Sequence, residues 1–170
     1  MKRNSHLVTF GGNPVTLKGK LVKPGQTAKN FVAVGTDLKP FSLSDLQGKV
    51  RVISSVPSLD NGVCATQTRR FNKETTKLGN VEMITISCDL PFAAKRFCAA
   101  EGIDKVLTVS DHKDADFGIK YGFLIEELRL LARGVIVIDK DDTVRYVELV
   151  KEVAHEPDYD KALEAVRELI

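Results

Sequence analysis

The alternation of strand-like and helix-like segments between residues 50 and 110 constrains the fold more than any other feature of the sequence. Residues 50–56, 81–87 and 106–109 are short runs rich in β-branched and apolar side chains, a composition typical of strands. Between them lie two predicted helices, one with buried-type residues at helical spacing from Cys64 onward and one that begins near Asp89. This order favours an α/β domain with a mixed central sheet and helices on both faces.

Start and stop residues place the ends of these two helices. The first is predicted over residues 64–78, because Gly79 follows the last periodic residue and tolerates a left-handed backbone. In the second, Asp89 is the expected N-cap, Pro91 lies in the first turn and Gly102 ends the helix.

The two ends of the chain add further elements. Residues 7–22 predict a β-hairpin interrupted by a Gly-Gly-Asn-Pro turn. Residues 133–139 and 144–150 predict a second pair of strands, and residues 158–169 a closing helix. No internal repeat or long linker divides the sequence, so residues 1–170 are expected to form a single domain.

The overall composition excludes several classes of protein. With 43% hydrophobic and 28% charged residues, the 170-residue chain is typical of globular rather than disordered proteins. Its 25 basic and 23 acidic residues leave a net charge of only +2, which offers no electrostatic footprint for nucleic acid or an anionic membrane. No apolar run approaches the ~20 residues that span a bilayer, and the N-terminus lacks the apolar stretch of a signal peptide. A cytoplasmic protein is therefore expected.

Cys64 is the most informative of the three cysteines, which are Cys64, Cys88 and Cys98. It lies where a loop leaves a predicted strand and enters a predicted helix. The unpaired N–H groups and dipole of a helix N-terminus favour an anion, so the thiol pKa is expected to fall from ~8.5 toward ~6. Position alone gives a buried core residue equal weight, because free cysteines are among the most buried residue types.

A series of short motifs runs in order along the chain. Around the first cysteine the sequence reads Pro57-Ser58-Leu59-Asp60-Asn61-Gly62-Val63-Cys64, followed by Arg69-Arg70-Phe71-Asn72. Further along come Asp89-Leu90-Pro91-Phe92-Ala93, Arg96-Phe97-Cys98, Leu131-Ala132-Arg133 and Glu156-Pro157-Asp158-Tyr159. With these motifs and its N-terminal hairpin, essentially the whole chain resembles the peroxiredoxins, and within them the thiol peroxidase subfamily, of the atypical two-cysteine type.

The resemblance implies a thioredoxin-like fold and a thiol-dependent peroxidase. By position, Cys64 looks like the peroxidatic cysteine and Cys98 like the resolving cysteine. Arg133 looks like the active-site arginine that holds the thiolate and a peroxide oxygen together, and Pro57 would shield the sulfur from water. The resemblance further implies that hydrogen peroxide and organic hydroperoxides are reduced through a Cys64–Cys98 disulfide that thioredoxin recycles. It also implies a homodimer, with no metal, haem or flavin cofactor.

Asn61 departs from the family pattern, which has Thr or Ser three residues before the reactive cysteine. That hydroxyl helps to orient the peroxide, whereas an amide presents its donor and acceptor on a longer, planar group. Loss of a charge-assisted hydrogen bond there would slow the reaction about 10- to 100-fold. The backbone N–H groups around Val63 and Cys64 are expected to add donors to the departing oxygen.

The same residues argue against two other assignments and leave a third open. The lack of a C-x-x-C pair argues against a disulfide oxidoreductase, because such enzymes use two neighbouring thiols at one helix start. The wide spacing of the cysteines argues against a zinc site shared with His112. A peroxide sensor or redox-switched binding protein with weak turnover remains the alternative, because Asn61 replaces the usual hydroxyl.

The other two cysteines have different expected roles. Cys88 closes a strand and is expected to pack in the core. Cys98 lies in a helix separate from that of Cys64, and a disulfide requires the two Cα atoms to lie within about 7 Å. We therefore expect oxidation to unwind the helix start at Cys64, the helix around Cys98, or both.

Overall fold

The computed structural model describes the whole chain from Met1 to Ile170. The strands are β1 (Arg3–Phe10), β2 (Asn13–Lys18), β3 (Val32–Gly35), β4 (Pro40–Ser42), β5 (Val50–Ser55), β6 (Val81–Ser87), β7 (Val106–Ser110), β8 (Leu124–Ile125), β9 (Leu130–Leu131), β10 (Gly134–Ile138) and β11 (Val144–Leu149). The helices are α1 (Gly62–Leu78), α2 (Pro91–Glu101), α3 (Asp116–Tyr121) and α4 (Tyr159–Arg167), with a short 3-10 helix at Leu43–Leu46. None of the helices combines the length and apolarity needed to cross a membrane.

A seven-stranded mixed sheet forms the centre of the molecule, in the order β11-β10-β5-β6-β7-β3-β4. Strands β5, β6 and β7 are parallel, because α1 and α2 connect them as crossovers. The strands on either side of these three pair antiparallel. A separate four-stranded antiparallel sheet has the order β1-β2-β8-β9. The predicted α/β architecture with a mixed central sheet is confirmed.

Each face of the central sheet buries its own apolar cluster, since side chains alternate along a strand. On one face, Val52 and Met83 pack with Phe71 of α1 and Leu163 of α4. On the other face, residues such as Ile53 pack beneath the four-stranded sheet and α3. Helices thus cover both faces, but a second sheet covers much of the second one.

The N-terminal hairpin has a tighter turn than predicted. Only Gly11 and Gly12 form the turn, with φ of 59° and 84°, values that glycine adopts without strain. Asn13 and Pro14, expected in the turn, lie in β2 instead. Proline has no backbone N–H to donate to a neighbouring strand. It is tolerated at position 14 because β8 pairs only with Leu17 and Lys18 of β2, so no hydrogen bond between β2 and β8 is lost.

The start of α2 also differs from the prediction. Leu90 is the N-cap and Pro91 is the first helical residue, where its missing N–H costs nothing. The Asp89 carboxylate does not cap the helix; it accepts instead from the Leu59 N–H and the Ser87 hydroxyl. Gly102 ends the helix in the left-handed region, as predicted.

The topology brings three chain segments to one edge of the central sheet. β5 ends there and leads into loop 56–61 and then α1. Antiparallel β10 starts at the same place, where Gly134 pairs with Ser55, so Arg133 lies beside the end of β5. β6, which is parallel to β5, ends at this edge too and is followed directly by Asp89.

Candidate active site

Cys64 lies in the first turn of α1 and is fully buried. It packs in a small cluster with Val56 and Leu59 of the preceding loop and Ala94 of α2. Phe97 of α2 borders both this cluster and the larger one beneath α1. The thiol therefore lies under a lid of apolar side chains that come from the loop and from α2.

Arg133 is the cationic partner of Cys64. Its Nη2 donates to Cys64 Sγ at 3.2 Å, and the guanidinium is itself fully buried. Two further bonds hold it in place: Nη1 donates to Gln67 Oε1 at 2.9 Å and Nε donates to the Val153 carbonyl at 2.7 Å. The structure thus brings together two residues that lie 69 positions apart in the sequence.

The buried guanidinium has no carboxylate partner. The ion pairs of the protein involve other residues, and Arg133 contacts only the neutral Gln67 and Val153 oxygens and the Cys64 sulfur. A buried charge without a counter-ion is costly. The Cys64 thiolate is the one group in contact with Arg133 that can supply the opposite charge.

Burial and charge act on the Cys64 thiol in opposite directions. Burial is the largest effect and raises its pKa above the ordinary value. A hydrogen bond from the Ser58 backbone N–H and the charge of Arg133 lower the pKa, whereas the Asp89 carboxylate raises it. The net direction is upward. The fall in pKa expected from the helix N-terminus is therefore wrong for this closed, reduced arrangement.

Asn61 is the N-cap of α1. Its side-chain Oδ1 accepts from the Val63 N–H at 2.9 Å and from the Cys64 N–H at 3.4 Å. The Val63 and Cys64 N–H groups, which were expected to donate to the departing oxygen, therefore already donate to the Asn61 side chain. Asn61 contacts the backbone of Cys64 and makes no hydrogen bond to its sulfur.

The loop before α1 supplies an amide that was not predicted. Pro57 is buried beside the cluster that holds Cys64, and a hydrogen bond from the Ser58 backbone N–H lowers the pKa of the thiol. The Asp89 carboxylate holds this loop through the Leu59 N–H at 2.8 Å and the Ser58 hydroxyl at 3.2 Å. The donors around the sulfur thus come from the loop and from Arg133, and not from the helix start.

Gln67 and Val153 are the positioning groups that the sequence did not reveal. Gln67 is fully buried, and its Nε2 donates to Ser54 Oγ at 2.7 Å while its Oε1 accepts from Arg133. Its spacing of three residues from Cys64, on the same helix face, was the available signal. Val153 contributes only a backbone carbonyl, which leaves no signature in a sequence.

The Val153 carbonyl is fixed by its neighbour Glu152. The Glu152 carboxylate accepts from the Ala154 and Gly12 N–H groups, both at 2.8 Å, and so ties the loop after β11 to the N-terminal hairpin. These hydrogen bonds lower the pKa of Glu152 to about 2. The hairpin therefore supports the candidate site indirectly, through the loop that holds Arg133.

The remaining cysteines lie apart from the sulfur of Cys64. All three cysteines are free thiols. Cys98 is half-buried on α2, where its thiol donates to Thr108 Oγ1 at 3.3 Å. Cys88 packs against the larger core cluster, as expected, and burial raises its pKa to about 11.

Nowhere do three or more His, Cys, Asp or Glu side chains converge as a metal site would require, so the cysteines and His112 form no such group.

Comparisons with known proteins identify the family. The family model described as Redoxin matches residues 23–163. A thiol peroxidase of Oceanobacillus iheyensis is 58% identical over 156 residues, which are 92% of this chain and 95% of that protein. A thiol peroxidase of Bacillus subtilis is 52% identical over 163 residues, 96% of this chain and 98% of that protein. The chain belongs to the thiol peroxidase family.

Membership in this family confirms the predicted class of enzyme. A thiol peroxidase of the peroxiredoxin type reduces peroxides at the expense of a thiol reductant, and that is the activity of this chain. A peroxiredoxin-like protein from Aquifex aeolicus superposes with a TM-score of 0.91 at 42% identity, over 97% of this chain and 98% of that one. The thiol peroxidase from Chromobacterium violaceum, 19% identical over 95% of each chain, shares the fold with a TM-score of 0.86. The thioredoxin-like fold is thereby confirmed.

The cap on α1 predicts the effect of changing Asn61. Asn61→Ala removes the acceptor for two first-turn amides and should lower the free energy of unfolding by about 1 kcal/mol, whereas Asn61→Asp should retain it. Urea unfolding of the reduced protein measures this. Asp60→Ala, a neighbouring exposed change, should stay within about 0.5 kcal/mol of the unaltered protein. Equal losses in Asn61→Ala and Asp60→Ala would contradict the capping role.

The Arg133 contact predicts a pH effect with a definite sign. Arg133 lowers the pKa of the Cys64 thiol, so Arg133→Gln leaves only the Ser58 N–H to oppose burial and should move the inflection of Cys64 alkylation to higher pH. The thiolate fraction at any pH below the inflection should fall accordingly. Alkylation at Cys64 is followed by peptide mass spectrometry from pH 7 upward through the inflection of each protein. Arg167→Gln, an exposed change of the same charge, should leave the inflection in place, and an unmoved or lower inflection in Arg133→Gln would refute the assignment.

Proposed function

We propose that Cys64 is the peroxidatic cysteine of this thiol peroxidase. Its thiolate attacks one oxygen of a hydroperoxide ROOH, an S–O bond forms as the O–O bond breaks, and the leaving oxygen takes a proton to become ROH. The sulfur is thereby oxidised to a sulfenic acid. The observation that carries this proposal is the 3.2 Å contact between Cys64 Sγ and the fully buried Arg133.

Arg133 suits both charges that arise in this step. A guanidinium has five N–H donors, and three of them are engaged with Val153, Gln67 and Cys64. The two that remain are free to bind a peroxide oxygen while Nη2 holds the sulfur. Because the guanidinium is fixed before the peroxide arrives, it needs no reorganisation as charge moves from sulfur to the leaving oxygen. Pro57 and its apolar neighbours would exclude water from the sulfur.

Asn61 has a supporting role in this proposal. Its amide oxygen is occupied by the α1 cap, so it would not orient the peroxide as a threonine hydroxyl does. The Ser58 N–H, Arg133 and the Asn61 side-chain NH₂, which makes no hydrogen bond within the protein, are the donors left to bind the peroxide. What position 61 would then lack is the free acceptor that a hydroxyl provides.

Cys98 is the proposed resolving cysteine. Its thiol attacks the Cys64 sulfenic acid, an S–S bond forms, and the sulfenic oxygen leaves as water. Both cysteines lie inside intact helices, and Cys64 is fully buried in this arrangement. Disulfide formation therefore requires local opening of the first turn of α1, of α2 around Cys98, or of both.

The disulfide would be reduced by a dithiol protein, and we propose thioredoxin in the cytoplasm. Cys98 is half-buried and lies on α2 next to exposed side chains, so a disulfide at this place is open to attack by an external thiolate. Attack releases one cysteine, and the second thiol of the reductant then displaces the other. Both cysteines return to free thiols as the reductant becomes a disulfide.

A homodimer is proposed to form through the start of α2. Leu90 and Phe92 are 57% and 70% exposed, and with Phe97 they line an open groove of about 700 Å³ that reaches Asp60 in the loop before Cys64. Large apolar side chains exposed together mark interaction surfaces.

Phe92→Glu should shift the protein toward monomer in sedimentation velocity. Leu128→Glu changes an apolar residue that is 47% exposed elsewhere and should not; equal behaviour of the two variants would refute this interface.

One experiment tests the chemistry. Reduced protein is mixed with substoichiometric cumene hydroperoxide, quenched at intervals, and analysed by intact mass and thiol mapping. We expect the loss of two hydrogens, much faster than free cysteine reacts, with a new bond between Cys64 and Cys98. Cys98→Ser should stop with one added oxygen on Cys64, and Cys64→Ser should not react. Cys88→Ser is the matched control and should behave like the unaltered protein.

Three other outcomes of these measurements would contradict parts of the proposal. If Cys64 reacts no faster than free cysteine, the proposed role of Cys64 fails. Slow oxidation together with a new protein interaction would favour the peroxide sensor. Turnover with other dithiols but not with thioredoxin would overturn only the choice of reductant.

A further inference from the structure

Asp89 links the two segments that carry Cys64 and Cys98. Its Oδ2 accepts from the Leu59 N–H at 2.8 Å and from Ser87 Oγ at 2.7 Å, and its Oδ1 accepts from Ser58 Oγ at 3.2 Å. Leu59 and Ser58 belong to the loop that leads to Cys64. Asp89 itself immediately precedes Leu90, the N-cap of the helix that carries Cys98.

The anchor on the sheet side is firm. Ser110 at the end of β7 donates its hydroxyl to the Asp89 carbonyl, and the Asp111 N–H donates to the Ser87 carbonyl at 2.7 Å. Asp89 is thus fixed to the ends of two parallel strands, and the loop is the partner that can move away from it.

The bonds to the loop continue to the active site. The Ser58 carbonyl accepts from the Asn61 N–H at 3.1 Å, and Asn61 caps the turn that contains Cys64. The Ser58 N–H, in the same peptide segment, lowers the pKa of the Cys64 thiol through a backbone hydrogen bond. A hydrogen-bonded chain therefore runs from the Asp89 carboxylate through Ser58 and Asn61 to the reactive cysteine.

Asp89 has no cationic partner. Three neutral donors satisfy its half-buried carboxylate, and it takes part in none of the ion pairs of the protein. Its charge disfavours the Cys64 thiolate, so the residue is not placed there to activate the sulfur electrostatically. The charged groups that face the sulfur are Arg133, which lowers the thiol pKa, and Asp89, which raises it.

We propose that Asp89 is a positioning residue that latches the Cys64 loop in its closed, peroxide-reactive arrangement and delays the opening that lets Cys64 reach Cys98. This inference rests on the proposed function, because it assigns Cys64 and Cys98 to successive steps. The latch favours the first step, which needs the Ser58 N–H on the sulfur. It slows the second step, which needs Cys64 to leave its buried place.

The latch predicts changes of opposite sign in the two steps. Asp89→Ala releases the loop, so sulfenic acid formation, measured in a Cys98→Ser background, should slow about 10-fold. Disulfide formation, measured by single-turnover quench with Cys98 present, should become about 3- to 10-fold faster. A merely structural defect would slow both steps together.

Asp89→Asn separates the hydrogen bonds from the charge. The amide oxygen can accept from Leu59 N–H and Ser87 Oγ, and the amide NH₂ can donate to Ser58 Oγ, so all three contacts can persist without the charge. Both rates should then stay within about 3-fold of the unaltered protein, while the inflection of Cys64 alkylation moves to lower pH. Asp104→Ala, an exposed acidic residue without side-chain partners, is the control and should change neither rate.

Hydrogen exchange tests the latch without relying on the chemistry. In the reduced protein, residues 58–64 should exchange faster in Asp89→Ala than in Asp89→Asn or Asp104→Ala. Should Asp89→Ala fail to fold, Ser58→Ala removes the hydroxyl that donates to Asp89 and accepts from the Asp60 N–H, and it should show the same opposite changes at smaller size. Unchanged exchange in Asp89→Ala or Ser58→Ala, or parallel slowing of both steps, would overturn the latch. Failure of the unaltered protein to form a Cys64–Cys98 bond, with exchange changed as expected, would overturn the proposed function alone.

Discussion

The Arg133 guanidinium is fully buried beside a sulfur atom, and much of the surrounding structure serves to make that burial tolerable. Neutral oxygens from Gln67 and Val153 take two of its donors, and Cys64 takes a third. Each of these contacts needs its own support. α1 places Gln67 one turn beyond Cys64, the hairpin fixes the Val153 carbonyl through Glu152, and β10 brings Arg133 against the end of β5.

This arrangement leaves the charge balance of the site incomplete in the reduced enzyme. Arg133 carries a buried positive charge with no carboxylate, while burial holds the Cys64 proton in place. Loss of that proton would form a compact ion pair in a site that excludes water. The same apolar surroundings that raise the thiol pKa make the interaction between thiolate and guanidinium stronger once it forms.

The loop between β5 and α1 divides its polar groups between two tasks. Asn61 uses its side chain to close the helix, so the first-turn amides are taken up inside α1. The Ser58 backbone N–H forms a hydrogen bond to the Cys64 thiol, and the Ser58 hydroxyl donates to the Asp89 carboxylate. The Asn61 side chain thus closes the helix, and the backbone amide of Ser58, earlier in the loop, lowers the pKa of the Cys64 thiol.

Local patterns in the sequence were sufficient for the main elements. The β-branched runs and the helical spacing predicted β5, β6, β7 and α1 with ends correct to within two residues, because periodicity and glycine stops are local properties. The motif around Pro57 and Cys64 likewise pointed to the thiol. The two-residue strands β8 and β9 were missed, since such short segments carry no periodic signal.

The sequence by itself determined the fold class, the family and the identity of the cysteine to consider first. Only the tertiary structure decided how that cysteine is held. It turned Asp89 from a helix cap into a support for the loop, assigned Asn61 to the backbone, and brought Gln67 and the Val153 carbonyl onto Arg133. The same holds for the thiol pKa, which burial raises although the helix start alone would lower it. Burial, backbone carbonyls and contacts between distant segments arise from the packed chain, and no local run of residues encodes them.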